Sequence, residues 1–228
     1  VEESTAGTAS LSCNFGPISD YEAILTAGKR AHALEHPIVI DPVGVSGSSY
    51  RREKCLELMK IIHPTCIRGN YSEIQALLHN CGTVTGVDAA EDALAEAEET
   101  DLPELMKQYA KENQMILVAS GETDLITDGS CVYQCHNGSP MMARITGSGC
   151  MSTVMLGAFL SAENSVESAV ACCAFTGIAG ELAAKETTAQ KRGTMTFRNW
   201  FIDAVSLMTP EQLDTGGTVD WVLLCDRS

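Results

Sequence analysis

Short runs of β-branched and apolar residues alternate along the chain with longer stretches whose apolar positions recur every three or four residues, the pattern of a layered α/β domain. Thr8 to Asn14 reads as a strand that ends in Asn-Phe-Gly-Pro, and Ser19-Asp20 then opens a helix through His32. Ile38-Val39-Ile40 is a second strand, stopped by Asp41-Pro42, and the Gly/Ser-rich loop from Val43 to Ser49 leads into a helix over Arg51 to Lys60. Thr65 to Arg68 is a short strand followed by a helix from Asn70, and Ala89 to Glu112 is helical, in two parts around Pro103. Met115 to Ala119 is a further strand. Leu125 to Thr127 and Ser130 to Gln134 form a hairpin closed by Asp128-Gly129. Beyond Cys150 the pattern is helical, over Cys150 to Ala162, Val166 to Lys185 and Met195 to Met208, and the piece after Pro210 has no assigned role. No internal repeat or low-complexity linker divides the chain, so residues 1–228 are expected to form a single domain.

With 228 residues, 45% of them hydrophobic, the chain can bury a substantial core. No uninterrupted apolar run reaches the ~18 residues that span a bilayer, and Val166 to Ala184 reads as a buried helix broken by polar residues. No basic-then-apolar leader opens the sequence, and a cytoplasmic protein is expected. Fifteen basic residues against thirty acidic ones give a formal charge of −15, which argues against nucleic acid as a partner. The ten cysteines are scattered and form no CxxC pair, so they read as small buried hydrophobes in a reducing compartment.

Candidate chemistry gathers at strand–helix junctions. Thr146-Gly147-Ser148-Gly149-Cys150 precedes a strongly apolar helix, and two glycines followed by a helix N-terminus can bring backbone amides to a phosphate. The same residues also fit an ordinary glycine turn. Cys150 falls in the first helical turn, where negative charge is favoured, and reads either as a base or positioning group for a transferred phosphoryl or as a packing cysteine. Asp41 ends a strand and is placed to hold Mg²⁺, although Asp-Pro is also plain turn chemistry. Arg68-Gly69-Asn70-Tyr71-Ser72-Glu73 joins a strand to a helix; Asn70 and Glu73 fit a capping pair, and Arg68 suits a phosphate. Ser120-Gly121 offers a hydroxyl and a flexible backbone at another strand end.

Taken in order, Ile40-Asp41-Pro42-Val43-Gly44-Val45, Ile67-Arg68-Gly69-Asn70 with Glu73, Gly86-Val87-Asp88, Ala119-Ser120-Gly121 with Thr127-Asp128-Gly129, Asn137-Gly138 and Ile145 to Met151 resemble the hydroxyethylthiazole kinase family. Phe197 to Ala204 is similar too, so the resemblance runs from about Glu3 to Leu207. It implies an α/β, ribokinase-like fold: a mostly parallel central sheet flanked by helices in three layers. It also implies a homotrimer with active sites at subunit interfaces. The implied activity is ATP- and Mg²⁺-dependent phosphorylation of the hydroxyl of 4-methyl-5-(2-hydroxyethyl)thiazole, a step of thiamine salvage.

Carried over by position, Arg68 and Ser120 match ATP-contacting places, with Asn70 and Thr146 beside the nucleotide. Gly147 and Cys150 match the acceptor side, Gly147 to Cys150 the catalytic turn, and Asp41 and Glu73 the acidic positions near phosphate and metal. Cys150 stands where many relatives in the wider superfamily carry an aspartate that activates the acceptor hydroxyl. Two departures are visible. Ser120 replaces the family's usual threonine, and the family carries a further stretch, including a first strand and a thiazole-contacting methionine, before the point where Val1 stands. The rival readings are a kinase for hydroxymethylpyrimidine or another vitamin alcohol, and a nucleotide-binding oligomer without turnover. An acyl-transfer enzyme with Cys150 as nucleophile lacks a histidine in a fitting context among His32, His36, His63, His79 and His136.

Overall fold

A computed structural model of the chain describes residues 1–81 and 102–222. After a short helix α1 (Glu2–Ala6), three parallel strands and their crossover helices follow in order: β1 (Leu11–Asn14), α2 (Tyr21–Ala33), β2 (Ile38–Asp41), α3 (Ser49–Ile62), β3 (Cys66–Asn70) and α4 (Tyr71–Cys81). Helix α5 (Leu102–Asn113) leads to β4 (Ile116–Ser120), β5 (Asp124–Thr127) and β6 (Val132–Cys135). The rest is α6 (Ser148–Ala162), α7 (Val166–Ala189), α8 (Thr194–Leu207), α9 (Pro210–Gly216) and an edge strand β7 (Val219–Val222). The seven strands among the described residues lie in sequence order across one sheet; β1 to β4 pair in parallel and β4 to β7 antiparallel. Five of the seven strands therefore run the same way, and the mostly parallel sheet expected from sequence is completed by antiparallel pairings on one side.

Strand periodicity sorts the core into two faces. Ile38, Ile40, Ile67, Leu117 and Ala119 pack beneath α2 to α5 with Leu58, Ile62, Ile74, Leu77 and Met106. Their alternating neighbours Val39, Cys66, Ile116 and Val118 pack against α6 and α7 through Leu156, Leu160, Ala169 and Cys172. A third cluster joins α7 to α8 through Ala179, Ala183, Phe197 and Phe201. Successive right-handed crossovers place their helices on a single face of the sheet. The opposite face is left for the C-terminal helices, and this brings the N-terminus of α6 to the carboxyl ends of the parallel strands.

Several expectations change. The strand predicted over Thr8 to Asn14 begins only at Leu11, because α1 and a turn take the preceding residues. The hairpin has a four-residue connection, Asp128 to Cys131, with Gly129 at φ +96°, and β6 starts at Val132. The segment after Pro210 is structured: Thr209 and Gln212 form a reciprocal capping box that starts α9, and β7 extends the sheet beyond β6. Helix α7 is long and apolar enough, by length and composition alone, to cross a membrane, yet 61% of that window is buried inside the fold, as a core helix requires. Gly86-Val87-Asp88, the first part of the helix predicted over Ala89 to Glu112, and Leu223-Leu224 lie outside the described residues.

Candidate active site

In open α/β sheets, ligands gather beyond the carboxyl ends of the strands. Here Asn14, Asp41, Asn70 and Ser120 are the last residues of β1, β2, β3 and β4, and a cleft of about 940 Å³ opens over the last three. Asp41, Arg68, Asn70, Glu73, Ser120, Gly147, Ser148, Gly149 and Cys150 all line it. Nine of the ten residues singled out from the sequence thus converge on one space. The exception is Thr146, which is exposed and outside the cleft lining; Gly147, at φ +93°, reverses the chain immediately after it.

The capping pair is present as read. Asn70 Oδ1 accepts the Glu73 N–H at 2.9 Å, and Glu73 Oε2 accepts the Asn70 N–H at 3.0 Å. Glu73 Oε1 accepts the Gly44 N–H at 2.9 Å, which ties the loop after β2 to α4. Both oxygens of Glu73 therefore already hold a backbone donor. Asp41 is 3% exposed, and its Oδ2 accepts from Asn14 Nδ2 at 2.9 Å and Thr153 Oγ1 at 3.1 Å. Burial raises the Asp41 pKa above the usual carboxylate range and outweighs the nearby Arg68 guanidinium and the Thr153 hydroxyl, which lower it; the Glu73 charge raises it further. The bonds from Asn14 and Thr153 both fall on Oδ2, and the Cys150 thiol also hydrogen-bonds the carboxylate and lowers its pKa.

Helix α6 begins at Ser148 with no side-chain cap. Its first intrahelical bond runs from the Met151 N–H to Gly147 O at 2.9 Å, so the N–H groups of Ser148, Gly149 and Cys150 stay available for an anion. The Ser148 hydroxyl is turned away to donate to Met142 O at 2.9 Å, so this residue offers its amide. Arg68 donates to Gly149 O at 2.9 Å, and a Cβ at position 149 would meet its Nη1 at 2.9 Å, which explains the glycine there. Cys150 is exposed in the first turn of α6, and its Sγ accepts from Asn14 Nδ2 at 3.1 Å. The other cysteines among the described residues are buried, as expected, and burial pushes the Cys172 thiol up to about 12.

Ser120 Oγ donates to Gly69 O at 3.2 Å, joining the ends of β3 and β4. Beyond it, Asp124 Oδ1 accepts the Gly121 N–H at 3.0 Å; burial raises the Asp124 pKa, against the lowering effects of that N–H and of Arg68. Among the described residues the cleft is lined by four carboxylates, Asp41, Glu73, Glu122 and Asp124, facing a single guanidinium, Arg68. His136 is the one histidine in the lining, and it faces Thr123 at 3.1 Å and Asp220 at 3.3 Å rather than Cys150. No histidine is thus paired with the thiol, and the acyl-transfer reading has no support. Asn14, Thr153 and Asp124 were not found from the sequence. Of these, Asn14 alone carried a local sign, as a polar residue closing a strand before Phe-Gly-Pro.

Residues 1–211 match the model of the hydroxyethylthiazole kinase family. A hydroxyethylthiazole kinase of Clostridium acetobutylicum is 36% identical over 219 residues, covering 94% of this chain and 80% of that protein. Hydroxyethylthiazole kinase 1 of Methanosphaera stadtmanae is 38% identical over 215 residues, covering 90% and 75%. The structure of a hydroxyethylthiazole kinase from Pyrococcus horikoshii OT3 superposes with a TM-score of 0.81 at 26% identity, over 97% of this chain and 80% of that one. Pyridoxal kinase from Staphylococcus aureus, solved with ADP, shares the fold alone, at a TM-score of 0.52 and 21% identity over 75% and 62% of the two chains. The fold is ribokinase-like, the match extends over nearly the whole chain, and this protein belongs to the hydroxyethylthiazole kinase family.

Proposed function

We propose that the chain transfers the γ-phosphoryl group of ATP to the hydroxyl of 4-methyl-5-(2-hydroxyethyl)thiazole, a salvage step toward thiamine, in the cytoplasm. The observation that carries this reading is the shared cleft, in which the free amides of the first α6 turn, Cys150, Arg68 and Asp41 meet at the strand ends. The amides of Ser148, Gly149 and Cys150 are placed to stabilise charge that grows on the transferred group, and Arg68 to neutralise another phosphate oxygen. Ser120 and Asn70 flank the nucleotide side, and Gly147 and Cys150 the acceptor side. Cys150 orients the alcohol; a loose phosphoryl-transfer transition state needs little help from a base.

The residues present fit Mg²⁺. A bare polyphosphate would be repelled by four carboxylates facing one guanidinium, and a divalent cation reconciles the two. Among the described residues no cluster of three or more His, Cys, Asp or Glu is poised for a metal. That suits Mg²⁺, which is held by one or two carboxylates, waters and the phosphates themselves. Asp41, whose bonds from Asn14 and Thr153 both fall on Oδ2, would hold the cation, with Glu73, whose oxygens already accept backbone donors, beside it. When bound, the cation neutralises phosphate charge.

The proposed assembly is a homotrimer with the cleft at subunit interfaces. Val154, one turn beyond Cys150 on α6, is 63% exposed, which supports a contact beside the site. Phosphorylation assays with the thiazole alcohol and hydroxymethylpyrimidine at equal concentration test the acceptor. Preferential turnover of the pyrimidine would replace this reading with the related salvage kinase. ATP-dependent thermal stabilisation with neither product would leave a nucleotide-binding oligomer, and sedimentation should return a trimer.

A further inference from the structure

We infer that Asn14 is a positioning residue for phosphoryl transfer, holding the Asp41 carboxylate and the Cys150 sulfur in fixed relation; this role rests on the proposed kinase function. Asn14 closes β1, in register with Asp41 on the adjacent parallel strand. Its Oδ1 accepts the Gly16 N–H at 2.8 Å, so the orientation of the amide is set and its NH₂ must point the other way. From there Nδ2 reaches Asp41 Oδ2 at 2.9 Å and Cys150 Sγ at 3.1 Å, one acceptor for each of its two hydrogens.

The consequences follow from donor and acceptor arithmetic. With Thr153 Oγ1 also on Asp41 Oδ2, one oxygen is held by two donors and the carboxylate plane cannot turn away from them without losing both bonds. At the sulfur, an N–H donor occupies a lone-pair direction, fixes the side chain of Cys150 and favours electron density on Sγ. Asn14 thus links the metal-facing acid on β2 to the acceptor-facing group at the start of α6, beside the direct bond from Thr153 of α6 to the same carboxylate. Asn14 is not among the residues that line the cleft, so it acts through its two partners.

Asn14→Asp is the sharpest probe. It is isosteric and keeps the acceptor for the Gly16 N–H, but it replaces both donated hydrogens with a negative charge. Asn14→Ser is the second variant, keeping a small acceptor without a donor that reaches both partners. Both are expected to lower kcat, by about tenfold or more for Asn14→Asp, with KM for ATP and for the alcohol within about threefold of wild type. Both should also slow alkylation of Cys150 by iodoacetamide, followed by peptide mass, roughly fivefold for Asn14→Asp. A kcat within about twofold of wild type in both variants overturns the inference, as does an unchanged alkylation rate. A wild-type protein that leaves the thiazole alcohol untouched would sink the proposed function, and the alkylation rates then decide the role of Asn14 alone.

Discussion

Gly149→Ala separates the catalytic role of the α6 turn from its structural one. The added Cβ would lie 2.9 Å from Arg68 Nη1, against roughly 3.5 Å for an ordinary contact, so the guanidinium must retreat by about 0.5 Å or more. That end of the side chain is flexible, and the fold can accommodate the move. The bond from Arg68 to Gly149 O, 2.9 Å long, is weakened or lost; a hydrogen bond to a charged group contributes about 1.5–3 kcal/mol. Replacing a helical glycine by alanine returns up to about 1 kcal/mol, so the melting temperature should move by only a few degrees. If Arg68 meets the phosphates from this position, kcat/KM for ATP should fall by about 10- to 150-fold, because each 1.4 kcal/mol is a factor of ten. Steady-state ADP release with the thiazole alcohol, beside a thermal melt, measures both. A variant with kcat/KM within about threefold of wild type and an unchanged melt would refute the placement of Arg68 on a phosphate.

Asp41→Asn should abolish turnover while leaving the metal-free fold at least as stable as wild type near neutral pH. Burial raises the Asp41 pKa in the folded state, so its contribution to stability is fullest in acid and is lost as pH rises through the folded value; the melting advantage of the variant should therefore widen from acid toward neutral pH, and a shrinking advantage would contradict the assignment. Gly147→Ala places a side chain at φ +93° with nothing nearby to clash, so the loss is backbone strain of about 1–2 kcal/mol, or about 2–8 °C in a thermal melt. Cys150→Asp should retain or raise turnover, since a carboxylate can also orient the alcohol; a folded but inactive variant would show that the thiol itself is needed.

Local signals carried most of the site. Ile-Val-Ile before Asp41-Pro42, and Arg68-Gly69-Asn70 with Glu73 three residues on, announce strand ends and a helix cap within a few positions, and each is found there. The glycine turn before α6 was equally legible, although sequence alone could not say that Gly147 would swing Thr146 outward. What stayed hidden lies far apart in the sequence. Asn14 meets Cys150 across 136 residues, and Thr153 meets Asp41 across 112. Such contacts depend on which face of the sheet α6 covers, and no local spacing encodes that. Strand β7 was missed for a similar reason. It is four residues long, includes Asp220, and gains its partner only because α9 returns the chain to β6.

The central claim is transfer of a phosphoryl group to the thiazole alcohol in this cleft, and ³¹P NMR of protein, ATP, Mg²⁺ and that alcohol tests it most directly. A phosphate monoester signal should grow in step with ADP as the γ-phosphate signal declines, and both Asp41→Asn and Arg68→Ala should be silent on the same timescale. ADP with inorganic phosphate and no ester, or ester formed undiminished by those two folded variants, would contradict the account.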